Sequence, residues 1–204
     1  MNKRLTQAER TAISDKKLLE SASELINERG TQKATLAEIG KRAGYSSGLA
    51  SSRFGSKDGL YQYMITVLIQ LRKEYTLESL HGETALEEIL ATLEMVDKMF
   101  SRNPVFVTAI FKLWFDALGR KTISLPMVEK FLGQSRAAVK KIITKGVDQG
   151  EFSDDVDPQA FAITYLSFLY GLIYQWMVSP DEVDLSSSLE SFKGYCKLML
   201  KADS

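Results

Sequence analysis

The amino-acid sequence predicts an all-α fold, and three observations carry that prediction. Apolar residues recur at helical spacing along most of the chain, strand-like alternation is scarce, and the 204 residues include only 4 prolines. At 45% hydrophobic content the chain can bury a substantial core. It carries neither internal repeats nor low-complexity runs.

The first helix opens near Thr6, where Thr6 and Glu9 have capping-box spacing, or near Ser14. Its apolar stripe is Leu18, Ala22, Leu25 and Ile26, and Gly30 ends it. A second capping box, Thr35 with Glu38, opens a short helix with Leu36, Ile39 and Ala43 on one face. Gly44 then supplies a residue able to turn the chain, and Ser46 is a natural cap for a further short helix. From Ser56 onward the expected helices lengthen: 57–79, 84–101, 104–119, 125–149, 158–178 and 184–201. Asn103-Pro104, Leu125-Pro126 and Asp157-Pro158 each place proline where a helix can begin without losing a needed N–H, while Gly82, Gly119 and Gly150 lie near helix ends. In the last helix Leu185, Leu189, Phe192, Cys196 and Met199 form a heptad-like packing seam.

Charge is balanced overall, with 26 basic and 26 acidic residues, so affinity for nucleic acid must come from segregation along the chain. That segregation exists. Residues 1–60 hold eleven Lys and Arg against seven Asp and Glu, and the remainder is correspondingly acidic. Cys196 is the only cysteine, which excludes an intrachain disulfide and fits a reducing compartment, and the start from Met1 to Arg10 is too polar for a signal peptide. A cytoplasmic location is expected. The uncharged stretch 159–179 has the length of a bilayer span, but Thr164, Tyr165, Ser167, Tyr170, Tyr174 and Gln175 interrupt it and its flanks are acidic. A buried helix is predicted there, with no membrane partner. His81, the sole histidine, lies at a helix joint and reads as a solvated loop residue without metal or acid–base company. No phosphate-binding glycine loop or nucleophile motif is present, so neither metal, cofactor nor catalytic residue is expected.

Thr35 to Phe54, TLAEIGKRAGYSSGLASSRF, reads as helix, tight turn, helix. Gly40 is small where the two helices would cross, Ile39 and Ala43 face the hub, and Tyr45 and Ala50 pack back. This leaves Ser46, Ser47, Leu49, Ser51 and Ser52 on a face that can approach base edges or phosphates. The same pattern also describes an αα-hairpin with no ligand.

The stretch Ala37 to Tyr61, AEIGKRAGYSSGLASSRFGSKDGLY, resembles the signature of the TetR/AcrR family of bacterial one-component regulators. Ala43, Gly44, Ser46, Gly48, Phe54, Ser56, Lys57 and Leu60 match its pattern. The resemblance is close over residues 14–61, and by element order it extends to the end of the chain. It implies three DNA-binding helices followed by a six-helix bundle that binds a small molecule and dimerises, dividing the chain into a helix-turn-helix domain, 1–56, and a ligand-binding and dimerisation domain, 57–204. It implies a phosphate contact by Thr35, entry of Tyr45 to Leu49 into the groove, and a phosphate contact by Lys57. Physics agrees for Lys57, an ammonium at a helix N-terminus where free N–H groups already favour an anion. Ser51, Ser52 and Arg53 depart from the family, which usually has Tyr, His and Tyr there. Arg53 either replaces a lost phosphate contact or caps the short helix.

The middle helices carry Met95, Met99 and Phe100, then Phe106, Phe111, Trp114 and Phe115, then Met127 and Phe131, and finally Phe161, Tyr165 and Phe168. Such residues pack most cores, and they can also line an apolar cavity. The family resemblance points to a pocket for an apolar or aromatic small-molecule effector. The helix at 158–178 has no charged face and so is expected to bury both sides, one against a second copy of the chain, giving a homodimer through residues 158–201. The function expected is a sequence-specific, double-stranded-DNA-binding transcriptional regulator, a ligand-responsive repressor on a palindromic operator. A helical binding or scaffold protein without DNA affinity is the alternative, and an enzyme a remote one.

Overall fold

A computed structural model describes residues 6–79, 83–120 and 125–200; His81 and Gly82, assigned above to a helix joint, lie outside them. The described residues form nine helices and no strand: α1 (Gln7–Lys33), α2 (Leu36–Arg42), α3 (Leu49–Phe54), α4 (Lys57–Ser79), α5 (Ala85–Arg102), α6 (Pro104–Arg120), α7 (Leu125–Asp148), α8 (Pro158–Val178) and α9 (Leu185–Leu200). The fold is the all-α one expected. Of the two proposed starts for the first helix, the structure takes Thr6, whose hydroxyl accepts from the Glu9 N–H while the Glu9 carboxylate accepts from the Thr6 N–H. At the other end α1 breaks at Gly30, which sits at φ 80° and ψ 164°. Ser46 does not cap α3 as expected. A backbone turn from the Ser46 carbonyl to the Leu49 N–H leads into the helix instead, and Gly48 holds the cap position with no side-chain bond. Pro104 opens α6 and Pro158 opens α8, where the Asp157 carboxylate accepts from the N–H groups of Gln159 and Ala160.

The chain forms two compact units. The first comprises the described residues up to Ile69 together with Asn103–Val128; the second comprises Gln70–Arg102 and the described residues from Glu129 on. Compactness therefore divides the chain elsewhere than residue 56, with α4 contributing to both units. In the first unit α6 lies along α1, and two cross-bonds fix the register: the Asn27 side-chain amide donates to the Val105 carbonyl and Lys112 Nζ donates to the Asn27 carbonyl.

In the second unit α8 is long and apolar enough to cross a membrane by length and composition. It buries Phe161, Tyr165, Leu169, Leu172 and Ile173, as the central helix of a bundle does. Its other face is open, with Ile163, Tyr174 and Val178 exposed to 49%, 52% and 64%. The expectation that α8 is covered on both sides is thus met within the chain on one side only. The α9 seam also turns inward: Leu185, Leu189, Phe192 and Cys196 are buried, and the Phe192 ring stacks on Phe168 at 3.6 Å and meets Tyr165 at 5.6 Å. Met199 alone of that seam is exposed.

Candidate functional site

The first unit holds α2 and α3 as a rigid corner. Thr35 closes the second capping box, its hydroxyl accepting from the Glu38 N–H and donating to the Glu38 carboxylate at 2.8 Å. Helix α2 ends in a left-handed residue, Gly44 at φ 80°. The Gly44 N–H then reaches the Lys41 carbonyl, and the Tyr45 N–H reaches the Gly40 carbonyl at 2.9 Å. At Gly40 an added Cβ would lie 2.6 Å from the Ser46 carbonyl oxygen, so the turn sits directly on α2. The need for a small residue at Gly40 was legible in the sequence; the turn backbone, rather than the facing helix, imposes it. Ile39 and Ala50 fill the hub and are fully buried.

What remains outside is a short polar ledge. Ser46, Ser47, Ser51 and Ser52 are exposed, while Tyr45 and Leu49 are half-buried and edge it. Lys17 of α1 places its ammonium 5.9 Å from the centre of the Tyr45 ring. Thr35 is exposed at the start of α2, its hydroxyl already engaged by Glu38. Lys57, at the first position of α4, donates from Nζ to the Gln32 carbonyl at 2.8 Å, and Tyr61 donates to the Thr31 carbonyl at 2.7 Å. Two carbonyls at the end of α1 are thereby engaged from the start of α4.

Arg53 stands in the last turn of α3 and has a partner within the protein. Its Nε lies 2.8 Å from the Asp15 carboxylate of α1, an ion pair that ties the end of α3 to the long helix. Arg42 is likewise committed, with two guanidinium nitrogens on Glu28 at 2.6 and 2.7 Å. The capping role of Ser56, which the sequence offered only as a match to the signature, and the tight place of Gly59 escaped sequence reasoning. Ser56 caps the start of α4 by accepting from the Gly59 N–H, and a Cβ on Gly59 would lie 2.0 Å from the Phe54 carbonyl oxygen. The spacing of Ser56 and Gly59 was a readable signal for the cap, whereas the close approach to Phe54 depends on the path of the loop.

The candidate effector residues fall into both units. In the first, Phe111 and Trp114 are buried with ring centres 4.8 Å apart, Phe106 is half-buried and Phe115 is 44% exposed. In the second, Met95, Met99, Phe131, Phe161 and Tyr165 are buried and Phe168 is half-buried. Tyr165 is fully enclosed: its hydroxyl bonds to Thr92, and burial pushes the phenol pKa far up. No group of three or more potential metal ligands occurs among the described residues.

Residues 18–64 match the family model described as bacterial regulatory proteins, tetR family. A probable HTH-type transcriptional regulator, ArpR of Pseudomonas putida, is 24% identical over 182 residues, covering 86% of this chain and 85% of that protein. Among solved structures, the fatty acid degradation regulator FadR from Bacillus halodurans aligns with a TM-score of 0.75 at 16% identity, over 97% of each chain. SmeT, the repressor of a Stenotrophomonas maltophilia multidrug efflux pump, aligns in its triclosan complex with a TM-score of 0.71 at 19% identity, over 85% of this chain and 84% of that one.

Proposed function

We propose that this chain, which belongs to the tetR family of bacterial regulatory proteins, is a ligand-responsive repressor that binds a palindromic operator as a homodimer. As a member of that family it is a DNA-binding transcriptional regulator and not an enzyme. The observation that carries the proposal is the exposed serine ledge of the α2–turn–α3 corner, held by the contact of Gly40 with Ser46. Short side chains on a rigid backbone let a helix approach base edges closely. In this reading residues 1–56 carry DNA binding and 57–204 carry effector binding and dimerisation. Tyr45, Ser46, Ser47, Leu49, Ser51 and Ser52 enter the major groove, while Thr35 and Lys57 meet backbone phosphate. The Lys57 ammonium, oriented by its bond to Gln32, stands at the N-terminus of α4, where the helix dipole also favours an anion. Two heads related by two-fold symmetry would read half-sites about one helical turn apart, on DNA in the cytoplasm.

The effector is read as an apolar or aromatic small molecule bound among the large side chains of the middle helices, and the triclosan complex of SmeT supports that class of ligand. It needs no contact with DNA. It must only bind one arrangement of the heads better than the other, and a coupling of about 1–3 kcal/mol loosens the operator roughly 5- to 150-fold.

The test is selection of operators from a random DNA pool, followed by titration of variants. Lys57→Ala is expected to weaken all sequences alike and to flatten the salt dependence, since a phosphate contact releases counterions. Ser47→Ala and Leu49→Ala are expected to change the preferred bases. Uniform losses at all three positions would refute the groove assignment, and the absence of any selected sequence would refute operator binding.

A further inference from the structure

Among the described residues Arg72 has no carboxylate partner. It lies on the last part of α4, within the second unit, and is half-buried. Nη1 donates to Ser135 Oγ on α7 at 2.6 Å, and the guanidinium carbon lies 5.2 Å from the centre of the Phe131 ring. Tyr165 and Tyr170 of α8, both neutral phenols whose pKa burial raises, lie near it. Ser135, only 3% exposed, gives its own proton to the Phe131 carbonyl and so can only accept from the arginine. Arg136, the next residue, adds a second positive charge facing Tyr170.

Several other cations of this unit meet carboxylates, whereas Lys98 is held by the Ser79 hydroxyl at 3.0 Å and the Glu78 carbonyl. Lys145 meets Glu88, Lys193 meets Glu94 and Arg102 meets Glu78. A guanidinium stays protonated even where burial lowers its pKa, and an unpaired charge removed from water is costly. Serine and aromatic faces offset only part of that cost. A guanidinium so placed keeps donors that can meet an anionic group of a ligand. The guanidinium fork fits a carboxylate or sulfonate edge-on with two parallel N–H donors, and the Phe131 ring lies beside it.

We propose that Arg72 anchors the effector through an anionic group, so that the ligand class is an organic anion with an aromatic or aliphatic body. This rests on the reading of the second unit as part of the effector-binding region. A purely structural Arg72, bracing α7 through Ser135, makes the opposite predictions.

The experiment uses the full chain and two dyes of the same ring skeleton, 8-anilinonaphthalene-1-sulfonate and the uncharged N-phenyl-1-naphthylamine, titrated by fluorescence. The wild type is expected to bind the sulfonate about tenfold or more tightly than the neutral dye, a preference of about 1.4 kcal/mol. Arg72→Met is expected to abolish that preference while leaving the neutral dye within about twofold, and Arg72→Lys to retain part of it. Because the methionine removes a half-buried charge and keeps the stem, its thermal midpoint is expected to equal or exceed that of the wild type. A sulfonate preference that survives Arg72→Met, or no preference in the wild type, overturns the anchor while leaving an uncharged effector possible. A methionine variant that melts earlier or fails to fold assigns Arg72 to structure and also overturns it. Binding of neither dye overturns the pocket itself, and the anchor with it.

Discussion

Gly40 has no room for a side chain, because its Cβ would stand 2.6 Å from a carbonyl oxygen that belongs to backbone and cannot swing aside. Gly40→Ala is therefore expected to cost about 1–3 kcal/mol, as overpacking does, and to weaken DNA binding by displacing the turn. Gly48→Ala is the matched control, since nothing lies within 4 Å of its added Cβ; thermal melts of the two variants decide the matter, and equal midpoints would contradict the contact. At the other end of the chain Cys196 is fully buried and its thiol is pushed up to about 12 by burial. The neutral thiol should resist a thiol reagent in the folded protein and react on denaturation. The sign of the linkage follows: a raised pKa favours the folded state below the ordinary value of 9.0, and that contribution is lost as pH rises from there to about 12. Rapid labelling of the native protein at neutral pH would contradict its burial. Partners far apart in sequence were the illegible part at this scale. Nothing in the sequence ties Arg53 to Asp15, because that pair depends on how α3 lies against α1.

Elements were more legible than pairs, because caps and apolar spacing are local. The capping boxes at Thr6 and Thr35 and the proline starts of α6 and α8 lie where the sequence puts them. Ser46 was misread because its carbonyl, rather than its hydroxyl, begins the turn into α3. The boxes carry a pH signature. The Thr35 hydroxyl first, then its N–H, hold the Glu38 carboxyl below the usual 4.5, and the Thr6 N–H and hydroxyl do the same for Glu9. A lowered pKa means stabilisation present above the unfolded value and lost as pH falls through the folded one. Amide exchange at the starts of α1 and α2 is therefore expected to quicken as pH falls below 4.5, after correction for intrinsic rates. In Glu38→Gln that acid response should vanish at α2 and persist at α1, and an unchanged response at α2 would refute the assignment.

At the scale of the molecule, the uncharged α8 and the α9 seam predicted an apolar interface, but the sequence did not say which faces remain for a partner. Helical periodicity identifies a stripe and leaves open whether its own bundle or a second copy covers it. The structure shows the seam of Leu189, Phe192 and Cys196 consumed internally, while Ile163, Gly171, Tyr174 and Val178 on α8 and Tyr195 and Leu198 on α9 stay open. Nothing within 4 Å meets an added Cβ at Gly171 or Gly194, so both stripes can be approached closely. Exposed apolar stripes on adjacent helices mark association, and an isologous two-fold would pair each stripe with its copy in a four-helix interface. The wild type is expected to be a dimer at micromolar concentration by light scattering. Ile163→Glu with Leu198→Glu should yield folded monomers with unchanged helical circular dichroism and a large loss of operator affinity, because one head then holds one half-site. A charge at Leu172 or Phe192, both buried within the protomer, should instead unfold the second unit. A monomeric wild type, or a dimer indifferent to the double glutamate variant, would remove this interface.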